Sequence, residues 1–246
     1  MDVITSNSNQ YVKLVKSLSD KKSRDELGLF MLEGERLIKD LPNDYGVEFL
    51  LVSEDKADEY DYLLNGRTYF VCSEKTIRYA ADTVSPSGII AVVKKPKTEF
   101  KLPNKNAILL DRVSDPGNIG TIIRTAAAVG FDVYLYKTAD VFSPKVVRAS
   151  MSALFKTDIY EIDFEQVKQL LTKTESYALD MDGDNLFGLK FGGNVTLACG
   201  NEAHGLSDEI LKLVNGKISI PMKNCMESLN VAVATSVAMY YTIYKQ

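Results

Sequence analysis

Six apolar runs, at residues 107–111, 133–136, 157–162, 177–181, 195–199 and 217–220, alternate with helical patterns at 118–129, 144–155, 164–172, 207–214 and 228–245. Strands this apolar cannot leave one face in water, and the helices between them supply the crossovers that parallel pairing needs. The expectation is an α/β fold with a mostly parallel sheet covered by helices on both faces. Local signals agree with it. Ser143-Pro144 reads as an N-cap followed by a first-turn proline, and Gly130 as the left-handed residue that ends a helix. The last helix carries Leu229, Val231, Val233, Val237, Met239, Tyr240 and Tyr241 around more than one face, so it reads as buried.

The preceding part of the chain is organised differently. A polar helix over roughly 8–25 is followed by strands at LFMLEG and VEFLLVS, helices at EGERLIKDL and EKTIRYAAD, and a strand at SGIIAVVK. The segment 94–105, KKPKTEFKLPNK, has two prolines, five lysines and little apolar periodicity. The expected organisation is therefore a small α/β domain over 1–95, a linker over 96–105 and a larger domain over 106–246.

Charge is uneven along the chain, although the net value is only −4. Residues 44–61 carry a local balance of −6, residues 1–24 a balance of +3 and residues 94–105 a balance of +4. Basic segments of this kind suit either a polyanion or simple solvation of surface helices. Other classes drop out. One histidine, His204, rules out a two-histidine metal site within one chain and routes any Ser-His-Asp or Cys-His mechanism through that residue alone. Cys72, Cys199 and Cys225 form no C-x-x-C pair and read as reduced thiols, with no metal cluster. No apolar run reaches the roughly 18–20 residues of a membrane span, and the N-terminus lacks a signal-peptide layout. The expected location is the cytoplasm, with no membrane partner.

Three loops at expected strand ends have unusual composition: DRVSDPGNIG (111–120), CGNEAHGLS (199–207) and IPMKNCMESLN (220–230). In open α/β sheets ligands collect beyond the carboxyl ends of the strands. The first loop combines Gly117 and Gly120 with a helix start suited to an anion, but it equally fits a tight turn capped by Asn118. It matches neither the Walker phosphate loop nor the dinucleotide fingerprint. Arg124 follows on an otherwise apolar helix, where an arginine is expected to be partly buried and in need of a partner.

In their order and spacing, DPGNIGTIIRTAAAVGF, GNEAHGLS and IPMKNCMESLNVAVATSVAMYY resemble the three motifs of the SpoU/TrmH family, RNA ribose 2′-O-methyltransferases of the SPOUT superfamily. SPKVVRASMSALFK resembles the family segment between the first two motifs. SNSNQYVKLVKSLSDKKSRDELGLFMLEGERLI and SPSGIIAVVK resemble its amino-terminal substrate-binding domain, which is similar to ribosomal protein L30e. The resemblance implies a C-terminal trefoil knot that forms an S-adenosylmethionine site, with transfer of a methyl group to a ribose hydroxyl, most simply of ribosomal RNA. A tRNA target, a base methyltransferase of the same superfamily and a non-catalytic RNA-binding protein are the alternatives.

Carried over by position, the resemblance places the cofactor against Leu179, Met181, Gly200, Glu202, Gly205, Ile220, Met222, Ser228, Leu229 and Asn230. It puts Arg124 at the catalytic centre with Asn118, Glu202, Ser228 and Asn230. Arg124 then either takes the hydroxyl proton or, since a guanidinium has a pKa above about 12, holds an RNA phosphate and the developing alkoxide. Lys13, Lys21, Lys22, Arg24, Lys145 and Arg148 are the RNA-contact candidates. The family frequently has a glycine where this chain has Ala203, and requires no histidine at position 204. The C-terminal helix is expected at a homodimer interface, and no metal is implied.

Overall fold

A computed structural model describes residues 2–223 and 228–244. The chain divides into two compact units, Met1–Lys97 with Asp140–Ser152, and Thr98–Ala139 with Ala153–Gln246. The expected 106–246 domain thus cedes one segment: Asp140–Ser152 packs with the N-terminal unit.

The first unit begins with α1 (Gln10–Ser17) and α2 (Lys21–Leu27), followed by β1 (Leu29–Glu33), α3 (Glu35–Lys39), β2 (Val47–Ser53), α4 (Asp61–Leu64), β3 (Tyr69–Cys72), α5 (Glu74–Ala80) and β4 (Ile89–Lys94). The single helix expected over 8–25 is two. Asp20 accepts a hydrogen bond from the Ser23 N–H at 3.1 Å and caps α2, so the Ser-Leu-Ser-Asp stretch interrupts the helix. Short polar side chains compete for backbone groups in just this way. The sheet order is β1-β4-β2-β3; β2 and β3 run parallel and the other pairs antiparallel. Val12, Val15 and Leu18 pack with Met31, Leu51, Ile77 and Val92 in its core.

The second unit starts with β5 (Ala107–Asp111), α6 (Pro116–Val129) and β6 (Asp132–Tyr136). The chain then contributes α7 (Pro144–Ser150) to the first unit. It returns through a 3-10 turn at Ala153–Phe155 to β7 (Ile159–Glu161), α8 (Phe164–Lys173), β8 (Glu175–Asn185), β9 (Val195–Cys199), α9 (Asp208–Leu211), β10 (Gly216–Ser219) and α10 (Val231–Tyr244). The six strands form one sheet in the order β10-β8-β9-β5-β6-β7, with every pairing parallel. Every residue of β5, β6 and β9 is buried, as their largely apolar composition predicts, and the burial extends to Asp111, Asp132 and Thr196.

The strand order positions the site. From β5 the chain moves outward through β6 and β7, then crosses back to fill the other side of β5 with β8, β9 and β10. The order therefore reverses between β5 and β9, which pair in register from Ala107 opposite Thr196 to Leu110 opposite Cys199. The loops after these two strands emerge side by side, the arrangement in which α/β sheets bind ligands. Among the described residues no helix is long and apolar enough to cross a membrane.

Candidate functional site

Helix α6 starts two residues earlier than its sequence pattern suggests. Asp115 is the N-cap, its side chain accepting the Asn118 N–H at 2.8 Å, and Pro116 opens the first turn with its φ already fixed for a helix. Asn118 is thus not the cap, and its amide is free to work elsewhere.

That amide lies in a directional relay. Asn230 caps α10, its Oδ1 accepting from the N–H groups of Ala232 at 2.9 Å and Val233 at 3.3 Å. The cap turns the Asn230 Nδ2 toward Asn118 Oδ1, to which it donates at 2.9 Å. Asn118 Nδ2 in turn donates to Glu202 Oε1 at 3.0 Å. Each amide orientation follows from the one before it.

Glu202 ends the relay, in a tight hairpin closed by two backbone bonds between Asn201 and Gly205, at 3.0 and 2.9 Å. Its carboxylate also accepts from the Asp115 N–H at 3.2 Å, the Ser114 N–H at 3.4 Å, the Ser114 hydroxyl at 3.3 Å and the Asn201 amide at 3.3 Å. The anion drawn to the start of α6 is therefore the protein's own Glu202. Burial pushes this carboxyl up, but the bonds from Asn118 and the backbone of Asp115 and Ser114 outweigh it, and the group is held below its ordinary value. Glu202 is an anion at neutral pH with most of its lone pairs engaged.

The structure thus joins Asn118, Glu202 and Asn230, one from each sequence motif. Arg124 and Ser228 are exposed, and among the described residues no hydrogen bond ties them to the relay. For Arg124 this corrects the expected partial burial. Helix α6 buries Ile119, Ile122, Ile123 and Ala126, whereas Arg124 shares the opposite face with exposed Gly117, Thr121 and Ala128.

Of the expected cofactor residues, Gly200 is buried, Leu179 and Ile220 are half-buried, and Gly205 is exposed with φ +64°. Met181, Met222 and Leu229 are 70%, 36% and 38% exposed. Large apolar side chains left open on β8 and in the third motif fit a purine ring, and the glycines and neighbouring backbone fit its polar edges. Cys225 lies outside the described residues. The Cys199 thiol is fully enclosed beside the site, and burial pushes it up to about 12, which makes it inert. Among the described residues no group of acids, cysteines and histidine could hold a metal ion.

All six RNA-contact candidates fall in the first unit, including Lys145 and Arg148, which the sequence placed nearer the motifs. Lys13, Lys21, Lys22 and Lys145 are exposed, Lys21 and Lys22 pairing with Asp25 and Glu26 one turn on. Arg148 bonds Asp82 at 2.8 Å. Arg24 must be withdrawn as a contact: its side chain is buried and ion-paired with Asp140 at 2.6 Å.

Sequence reasoning did not single out Arg112, Ser114, Asp115 or Asn201 as site residues. One signal was present in Asp111 and Arg112, a charged pair ending a strand that is otherwise wholly apolar.

Residues 105–240 match the model of the SpoU rRNA Methylase family, and residues 9–91 that of the MRM3-like substrate binding domain. A 23S rRNA guanosine 2′-O-methyltransferase of Bacillus subtilis is 30% identical over 98% of this chain and 99% of its own. The crystal structure of an AdoMet-bound rRNA methyltransferase from Sinorhizobium meliloti, 28% identical, superposes with a TM-score of 0.86 over 98% of this chain and 96% of that one. A TrmH/SpoU tRNA modifying enzyme of A. aeolicus, 28% identical, covers only 59% of this chain and 77% of its own, with a TM-score of 0.51. The matched motifs, the parallel sheet and the relay that joins the three motif loops make this chain a member of the SpoU rRNA methylase family.

Proposed function

We propose that this protein transfers the methyl group of S-adenosylmethionine to a ribose 2′-hydroxyl of ribosomal RNA. The observation that carries the reading is the relay Asn230–Asn118–Glu202, which gathers all three motif loops at the carboxyl ends of β5 and β9. The relatives favour ribosomal RNA over tRNA. The match to the rRNA enzyme runs over 98% of this chain and so through both units, whereas the tRNA enzyme covers 59% of it.

Met181, Met222 and Leu229 would hold the purine, with backbone at Gly200 and Gly205 beside it. Bound there, the cofactor supplies an electrophilic methyl group. The chain's own task is to fix the ribose hydroxyl in line with that methyl and to stabilise the oxygen as its proton leaves. Glu202 is saturated by donors and acts as the clamp that fixes Asn118 and the 111–118 loop. Arg124, an exposed cation one and a half turns along the same helix, holds an RNA phosphate and the developing alkoxide. The lysines of the first unit add phosphate contacts that give affinity without reading sequence. The C-terminal trefoil knot belongs to the same proposal: β10 lies at the sheet edge, while α10, next in the chain, packs on α6 and on the interior strand β9.

Two experiments test this. The first maps alkali-resistant linkages in ribosomal and transfer RNA from cells with and without the gene. One ribosomal linkage should become alkali-labile without the gene and stay labile when Arg124→Ala replaces the wild type, with cofactor binding by calorimetry intact. A change confined to tRNA would favour the second reading, and no change in either RNA would end the proposal.

The second concerns assembly. Helix α10 buries Ala232, Thr235, Ala238, Met239 and Thr242 but leaves Val233, Tyr240 and Tyr244 exposed along one face. A helix apolar all round is unstable with one face in water, so a second copy covers it. Sedimentation should give a dimer for the wild type and a monomer for the Val233→Lys/Tyr240→Lys variant.

A further inference from the structure

We infer that Arg112 is a positioning residue for methyl transfer, locking the Glu202 hairpin onto the end of β5; this rests on the site proposed above. Arg112 has φ +57°, a left-handed conformation that side chains with a Cβ rarely adopt and that glycine would adopt freely. Backbone strain of this kind persists where the surroundings over-determine it, and here the N–H, the carbonyl and two guanidinium nitrogens, Nε and Nη2, are all engaged.

The Arg112 N–H donates to the Tyr136 carbonyl at the end of β6, at 2.9 Å. Its carbonyl accepts from the Asn201 amide at 3.0 Å. Its guanidinium grips the Asp111 carboxylate with Nε at 3.0 Å and Nη2 at 3.1 Å, and Nη2 also reaches the Gly205 carbonyl at 3.2 Å. Asp111 is fully buried, and its second oxygen accepts the Ser207 N–H at 2.8 Å. Both ends of the hairpin, Asn201 and Gly205, are thereby fastened to one residue of the first motif loop. Glu202, between them, inherits that position.

If Arg112 served only to neutralise Asp111, any cation there would do. The fork geometry says otherwise, because one planar group must span a carboxylate and a carbonyl of a different loop at once. A lysine keeps the charge and loses the span.

The test is a double-mutant cycle on methyl incorporation from labelled S-adenosylmethionine into ribosomal RNA from cells lacking the gene. Arg112→Gly, which suits the backbone angle, and Arg112→Lys are each combined with Glu202→Gln. Both single changes at 112 should lower kcat by about 10- to 100-fold, the scale of a misplaced site, and leave KM for RNA within about twofold. In the Glu202→Gln background each should cost less than about twofold more, since residues acting through one group are not additive. Should Arg112→Gly leave too little folded protein, the Arg112→Lys arm reads the same coupling. Wild-type kcat in Arg112→Lys, or full additivity with Glu202→Gln, overturns the inference while leaving the proposed site standing. Full activity of Glu202→Gln alone overturns both.

Discussion

Replacing Asp140 with alanine is expected to destabilise the first unit by about 3–5 kcal/mol, the usual cost of stranding one partner of a buried ion pair. The Arg24 and Asp140 side chains are 3% and 4% exposed, with Nη2 at 2.6 Å and Nε at 2.8 Å from the same carboxylate oxygen. The remaining Arg24 donor reaches the Leu18 carbonyl at 2.7 Å, so the guanidinium has no route to water once its anion is gone. The exposed pairs Lys21–Asp25 and Arg78–Glu74 have similar distances, yet pairs of their kind contribute only about 0.2–1 kcal/mol. Urea unfolding followed by far-ultraviolet circular dichroism reads the difference, as the chain has no tryptophan to report it. The double replacement Arg24→Met/Asp140→Leu should recover most of the loss, because an apolar pair needs no compensation. Loss of less than about 1 kcal/mol in Asp140→Ala would show that water reaches the pair. The consequence extends past stability, since Asp140 anchors the inserted segment Asp140–Ser152, with Lys145 and Arg148, in the first unit.

The second large effect is expected from Gly200→Ala. A Cβ at this position would stand 2.1 Å from the Gly205 carbonyl carbon, 2.2 Å from the Leu206 nitrogen and 2.3 Å from the Gly205 oxygen. All three atoms are backbone, so no side chain can swing aside. The hairpin must open or β9 must shift, and Glu202 moves with it. Overpacking of this kind costs roughly 1–3 kcal/mol in stability. The larger loss is in turnover, which should fall by about 100-fold, because a misplacement of about 1 Å at a reacting site can cost that much. Gly205→Ala is the control: nothing lies within 4 Å of its Cβ, and only the left-handed φ of +64° opposes it. Its expected cost is about 1–2 kcal/mol. Methyl incorporation and thermal melting of both variants check the ranking, and a Gly200→Ala enzyme with wild-type turnover would remove the hairpin from the mechanism.

Much of this protein is legible in its residues because the signals are local or periodic. The strands at 107–111 and 195–199 are read to the residue, since each is a mainly apolar run buried on both faces that gives way to a polar, glycine-bearing loop. Asn118, Glu202 and Asn230 are carried over from the resemblance of three motifs to a known family, and all three meet in the structure. The start of α6 is less clear because Asp115-Pro116 and Asn118 are all good opening residues, and only the geometry of the turn selects Asp115. The polar stretch at 17–20 could continue a helix or break it, and local caps decide for a break.

The errors share a cause. Arg24 reads as a surface cation and Arg124 as a partly buried one, and the structure reverses both. An arginine's neighbours along the chain say how apolar its element is, but not which side of that element meets another one. Arg24 is buried because a carboxylate 116 residues away packs over it; Arg124 is exposed because its side of α6 is the one left open. Alternation of apolar runs with helices, and three motifs that resemble those of a known family, are properties of the chain alone; the first determines the α/β class, and the second points to the family and the residues to suspect. The reversal of strand order between β5 and β9, the grip of Arg112 on the Glu202 hairpin and the pairing of Arg24 with Asp140 depend on contacts between segments far apart in sequence. Their energies come from burial and hydrogen-bond geometry, which exist only once the chain has folded.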